Sequence, residues 1–275
     1  MEIKNLNRSL TNIMMLSVIV LASTFNFQSK ADDQTSYTPT TLITGANRGI
    51  GLEFTRQYLE MGWNVIATAR KPGKADQLID LKEKYPDHLT IQQLDVTDHG
   101  RIDELALELK DQPIDLLLNN AGISGGSSNQ IFGNMDYDVY ESVLSVNTIG
   151  PLKMAEAFYP HVKNSELKKI VSVSSSEGSI GTSFKRGGGR LFFYRSSKTA
   201  LNMVMVNLAF QLKGRGIAVG MVNPGLTDTD FVSGMPFPNM RSAELAVSDM
   251  IRNIETISVD NTAAYINYNG KPVPW

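Results

Sequence analysis

The chain has no cysteine and only three histidines among its 275 residues. The first absence excludes disulfides, a thiol nucleophile and thiolate metal sites. His88, His99 and His161 are scattered and match no metal-ligand spacing, so neither a structural nor a catalytic metal is expected. An excess of either charge is also missing. With 26 Lys+Arg against 28 Asp+Glu the net charge is −2, which argues against a nucleic acid or an anionic membrane surface as partner. There is no internal repeat and no second domain boundary. The uncharged apolar stretch at 13–22 is about ten residues, too short to span a bilayer comfortably.

What that stretch does resemble is an export signal. Lys4 and Arg8 precede it, and Ser29-Lys30-Ala31 offers small residues at a cleavage point. Residues 1–31 read as a signal peptide, 32–38 as a polar linker and 39–275 as the functional domain. A disordered, mildly apolar tail is the plain alternative. A working signal implies export to the periplasm or medium, and otherwise the protein is cytoplasmic. Membrane association is expected only through this segment, if it stays uncleaved.

From residue 39 onward short β-like runs alternate with helical ones. Strands are expected at 40–44, 63–68, 90–94, 114–118, 169–173, 217–222 and 263–265. Helices are expected at 49–61, 76–84, 101–110, 136–161 (with a kink at Pro151), 194–212 and 243–256. The glycine-rich stretch before Tyr194, with Lys185, Arg186 and Arg190, reads as a mobile loop. Alternation of this kind predicts an α/β fold, a doubly wound parallel sheet of Rossmann type in a single domain.

In such a sheet, ligands bind beyond the carboxyl ends of the strands. The turn Thr44-Gly45-Ala46-Asn47-Arg48-Gly49-Ile50-Gly51 lies between the first strand and the first helix. Gly45 permits a tight turn, and Gly49 and Gly51 let backbone approach a pyrophosphate at a helix N-terminus. The second strand ends in Ala69-Arg70 without a carboxylate to hold ribose hydroxyls. Arg70 and Arg48 instead suit the adenosine phosphate of NADP. Further on, Tyr194 and Lys198 stand one helical turn apart. An ammonium beside a phenol lowers its pKa from about 10 toward the working pH, which points to redox chemistry on a carbonyl or an alcohol.

These residues, in order, resemble the short-chain dehydrogenase/reductase family, from about residue 40 to 275. Gly45-x-x-x-Gly49-x-Gly51, with Asn47, Arg48 and Ile50 inside it, looks like the family's cofactor turn. Asp95 and Val96 look like the pair that approaches adenine. Asn119-Asn120-Ala121-Gly122 matches the motif after the fourth strand, of which Asn119, Ala121 and Gly122 are expected at the cofactor. Asn147 matches the helix asparagine of the proton relay, and Ser175 the serine after the fifth strand. Pro224 and Gly225, with Thr227 and Thr229, resemble the segment that closes over the nicotinamide. The stretch 194–202 and the ending Gly270-Lys271-Pro272-Val273-Pro274-Trp275 look most like C-factor-type proteins, grouped with carbonyl reductases.

The resemblance implies an NADP(H)-dependent oxidoreductase acting on a small-molecule carbonyl or alcohol. Tyr194 would be its general acid/base, Ser175 would bond the substrate oxygen, Lys198 would lower the Tyr194 pKa and hold the nicotinamide ribose, and Asn147 would position a relay water. Because Ser172, Ser174 and Ser176 crowd Ser175, the serine assignment is open by one position. A C-factor-like dinucleotide-binding signalling or interaction protein is the second reading. A sugar epimerase or dehydratase is disfavoured, because the chain after the last strand is too short for a substrate region. The family also implies a homodimer or homotetramer through the helices at 136–161 and 194–212, where Leu201, Val204, Met205, Leu208 and Leu212 suit either a core or an interface.

Overall fold

A computed structural model describes residues 37–187, 189–232 and 239–275. The signal-like segment and residues 32–36 of the linker lie outside the described residues, as do Gly188 and residues 233–238.

Continuous apolar runs become strands buried on both faces. The strands are β1 (Thr40–Ile43), β2 (Asn64–Ala69), β3 (Leu89–Gln93), β4 (Leu116–Asn119), the small pair β5 (Gln130–Ile131) and β6 (Asn134–Met135), then β7 (Lys169–Val173), β8 (Ala218–Asn223) and β9 (Ala264–Asn267). Seven of them form one parallel sheet in the order β3-β2-β1-β4-β7-β8-β9. Strand order reverses between β1, paired through Thr41↔Val65, and β4, paired through Thr41↔Leu116. Connections leaving these two strands diverge and open a crevice at their carboxyl ends.

Helices α1 (Gly49–Glu60), α2 (Asp76–Lys84), α3 (His99–Glu108), α4 (Tyr137–Leu144), α5 (Gly150–Ala157), α6 (Tyr159–Lys163), α7 (Ile180–Arg186), α8 (Phe192–Lys213) and α9 (Ala243–Thr256) cover the sheet. On one face Phe54, Tyr58 and Leu78 of α1 and α2 meet Val247, Met250 and Ile254 of α9. On the other, Ile102 and Leu105 of α3 pack with Met154 of α5 and Leu201 and Met205 of α8. Spacings of three and four residues produce these buried stripes. Leu201, Met205 and Leu212 are therefore core, with Val204 and Leu208 packed against it. A carboxylate is also built into the frame. Asp115 is 1% exposed and accepts from the backbone N–H of Thr40 at 2.8 Å and of Glu166 and Leu167 at 3.1 Å each.

Three expectations change. The region at 136–161 is helical without a gap from Tyr137 to Ala157, but its irregularity is a π turn rather than a kink at Pro151. A π turn at Ser145–Ile149 separates α4 from α5, and Phe158 separates α5 from α6. Pro151 sits in the first turn of α5, directly after the π turn. The stretch before Tyr194 is not all loop. Ser179 caps α7 by accepting from Thr182 N at 2.9 Å, and Gly187 ends it at φ 69°. The β5–β6 hairpin, too short to leave a periodic signature, was not foreseen.

Candidate active site

The glycine turn is fixed by its neighbours before any ligand is considered. Thr44 Oγ1 accepts from the N–H groups of Asn120 and Ala121, each at 3.0 Å. Asn120 Nδ2 returns two bonds, to the carbonyls of Thr44 at 2.9 Å and Gly45 at 3.1 Å. Gly45 has φ 65°, and a Cβ on Gly51 would lie 2.2 Å from the Gly45 carbonyl oxygen. The turn therefore holds backbone where no side chain fits. Helix α1 begins here with no side-chain cap and no acidic residue in its first turn. Its N–H groups face the crevice, a cradle suited to a pyrophosphate.

That crevice is a cleft of about 1970 Å³ running from Arg70, Lys71 and Lys74 at one end to Ser175, Tyr194 and Lys198 at the other. Gly45, Asn47, Arg48, Gly49, Ile50, Gly51, Asp95, Val96, Ala121, Gly122, Pro224, Gly225, Thr227 and Thr229 line it between those ends. Asn119 does not. Its side chain is turned inward to Ser172 Oγ at 3.4 Å and Pro151 O at 3.5 Å, and Asn120 faces the cleft instead. Successive residues leaving a strand point to opposite sides, so only one of two adjacent asparagines can do so.

At the basic end, Arg70 is exposed at the close of β2, and Arg48 reaches Asp230 at 3.6 Å with both side chains mostly in solvent. Such an exposed pair is weak enough to yield to a phosphate. Asp95 bends its carboxylate back to Thr97, bonding N at 3.0 Å and Oγ1 at 2.8 Å, so its acceptor is partly used.

At the other end, α8 carries Tyr194 and Lys198 on one face. Lys198 is buried and donates from Nζ to the carbonyl of Val173 at 2.8 Å. Burial lowers its ammonium to about 8. The Tyr194 phenol is pushed up to about 12 by burial, against an opposing hydrogen bond with Ser175. In the protein alone the phenol is raised rather than lowered. Desolvation outweighs the Ser175 bond, and Lys198 Nζ lies 5.9 Å from the ring centre.

The crowded serines are engaged differently. Ser172 Oγ is spent on Met205 Sδ and Ser174 Oγ on Asn202 Oδ1, both buried, whereas Ser175 bonds Tyr194. Asn147, fully buried in the π turn, does not line the cleft. Its amide accepts from Ile123 N at 2.9 Å and donates to Ile123 O at 2.8 Å and Ser197 Oγ at 2.9 Å. It braces the loop after Gly122 against the residue preceding Lys198.

Sequence reasoning missed the substrate-side wall. The β5–β6 hairpin presents Ile131 and Phe132 at the cleft mouth, with Phe132 6.5 Å from Phe192. Gln130 anchors it by accepting from Phe193 N at 2.9 Å and donating to the carbonyls of Ser124 and Gly126. Opposite, the Phe231 ring lies 5.4 Å from that of Tyr194.

The chain as a whole is similar to known proteins. Residues 39–236 match the family model described as short chain dehydrogenase. An uncharacterized oxidoreductase of Schizosaccharomyces pombe is 31% identical over 254 residues, 85% of this chain and 96% of its own. The C-signal protein of Myxococcus xanthus is 30% identical over 163 residues, 59% of this chain and 93% of its own. An NADPH-bound carbonyl reductase from chicken fatty liver superposes with a TM-score of 0.79 at 31% identity, covering 86% of this chain and 99% of that one.

Proposed function

The chain belongs to the short-chain dehydrogenase/reductase family, and on that premise we propose an NADP(H)-dependent oxidoreductase acting on a small carbonyl or alcohol. The observation that carries this reading is the meeting of Ser175, Tyr194 and Lys198 at the end of a cleft that begins at the glycine turn. A bound nicotinamide supplies the hydride. In reduction, Tyr194 gives its phenolic proton to the substrate oxygen, which Ser175 Oγ also bonds as charge develops there. Lys198 stabilises the phenolate left behind, and Asn147 keeps that lysine's helix in register with the loop after Gly122. Arg48 and Arg70 would take the adenosine phosphate and the turn around Gly49 the pyrophosphate. Asp95 and Val96 would flank adenine, and Pro224, Gly225, Thr227 and Thr229 would close over the nicotinamide. A similar carbonyl reductase with NADPH bound supports the cofactor assignment.

The test is oxidation of NADPH and NADH by residues 32–275 against a panel of aldehydes and ketones, with Tyr194→Phe alongside. Turnover with NADPH that falls about 10²- to 10⁴-fold in the variant, with cofactor binding intact, supports the reading. Full activity in the variant refutes it.

The same reading treats 39–275 as the catalytic domain and 1–31 as an export signal. N-terminal sequencing of the mature protein checks the latter, and an intact Met1 in soluble cytoplasm refutes it. Self-association is proposed through Ile149, Leu152, Met203 and Phe210, exposed apolar residues on α8 and at the head of α5. Light scattering should show a dimer or tetramer that Phe210→Asp weakens. The similarity to C-signal keeps a binding or signalling role as the second reading. Cofactor binding without turnover on any carbonyl would favour it.

A further inference from the structure

Beneath Ser175 lies a buried polar cluster that the proposed chemistry does not use. Tyr265 on β9 is 3% exposed, and its hydroxyl donates to the backbone carbonyl of Ser175. Asn202 also bonds the same phenol, and Ser174 Oγ donates to Asn202 Oδ1 at 2.6 Å. Asn202 Nδ2 continues to the carbonyl of Gly178 at 3.2 Å, where Thr199 Oγ1 also donates at 3.0 Å. Gly178 itself is wedged against α8, since a Cβ there would lie 2.7 Å from Lys198 Cβ. On the far side the Trp275 ring lies 5.3 Å from that of Tyr265, and Trp275 O accepts from Gly181 N at 2.6 Å.

A phenol this deeply placed costs stability unless its hydroxyl is bonded. Here its bonds go to the turn that carries Ser175, and to that turn's supports. Holding the Ser175 carbonyl fixes the backbone on the C-terminal side of its Cα, and with it the direction of the side chain. We propose that Tyr265, with Ser174 and Asn202, is a positioning residue that sets how the Ser175 hydroxyl meets Tyr194 and the substrate oxygen. This rests on the assignment of Ser175 and Tyr194 to proton transfer. Burial raises the Tyr265 phenol above its ordinary value, so it stays a donor and carries no proton in the reaction.

Tyr265→Phe keeps the ring against Trp275 and removes only the hydroxyl. Its kcat should fall about 10- to 100-fold, the scale of a misplaced reacting group. KM and Kd for NADPH should stay within about twofold, and Tm within about 3 °C. In a Ser175→Ala background the same change should add almost nothing. An unchanged kcat, or an equal loss in both backgrounds, overturns the proposal. If Ser175→Ala alone keeps full activity, the underlying assignment falls with it. If Ser175→Ala is impaired and Tyr265→Phe is not, only the positioning role is lost. Should Tyr265→Phe fail to fold, Ser174→Ala replaces it and is judged by the same kcat-selective loss.

Discussion

The side chain of Asn120 holds the carbonyl of Gly45 at 3.1 Å across 75 residues of sequence. The end of β4 therefore sets the shape of the turn after β1, where the cofactor's phosphates are proposed to lie. Asn120→Ala leaves the Thr44 and Gly45 carbonyls without these donors, a loss of about 1–3 kcal/mol where burial prevents replacement by water. Fluorescence titration should show NADPH affinity about 10-fold weaker, with kcat at saturating cofactor near the wild-type value.

A second expectation concerns Lys198. Its folded pKa of about 8 lies below the ordinary lysine value of 10.5, so the unfolded chain binds more protons between those limits. The cost of burying the ammonium is fully present below about pH 8 and is relieved as pH rises toward 10.5. Lys198→Met should thus be inactive yet more stable at pH 7, by on the order of 2 kcal/mol. The gap in urea midpoint between variant and parent should close as the pH is raised, and a constant gap would contradict the argument.

Cofactor preference should yield to charge. Arg48→Ser with Arg70→Asp removes the two guanidiniums suited to the adenosine phosphate. Charge-assisted bonds contribute about 1.5–3 kcal/mol each, so kcat/KM for NADPH should drop at least about 10-fold while that for NADH changes little. Parallel steady-state assays with both cofactors decide it, and equal losses would point to damage elsewhere.

Stability should respond most to Asp115, far from the chemistry. Its carboxylate accepts from three backbone N–H groups, one buried and two part-buried, that join β1, β4 and the approach to β7. Asp115→Ala leaves them unsatisfied, and a loss of about 3 kcal/mol or more is expected in chemical denaturation.

Much of this architecture was legible in the sequence because it rests on local periodicity. α2, β7 and α9 occupy the expected residues, and the remaining large strands and helices lie within a few residues of their expected ends, the region at 136–161 excepted. What escaped rests on geometry that no local pattern carries. Nothing in the residues at 145–149 announces a wider turn. α7 is short and glycine-flanked, and only Ser179 signals its start. The site divided the same way. Glycine, tyrosine and lysine spacings marked the cleft, but Asn119 and Asn120 are chemically identical, and only the pleat decides which faces outward. That Ser174 is engaged by Asn202, from a different element, shows only in the fold. Tyr265 reaches the serine turn across the sheet, 90 residues downstream.

The π turn between α4 and α5 has a consequence for insertions and deletions. An α-helix advances about 100° per residue, so one additional residue in a turn acts as a phase shift between the two helices it joins. Upstream, Tyr140 and Val143 are aimed at Phe193 and Gly125 near the head of α8, while downstream Met154 and Ala155 are aimed at the core. Deleting any one residue from 145–149 would restore an ordinary helix and turn one half by about a quarter of a revolution against the other. Either the Tyr140 contact or the Met154 contact would be lost. The length of this segment, more than its composition, is what keeps both halves facing their partners.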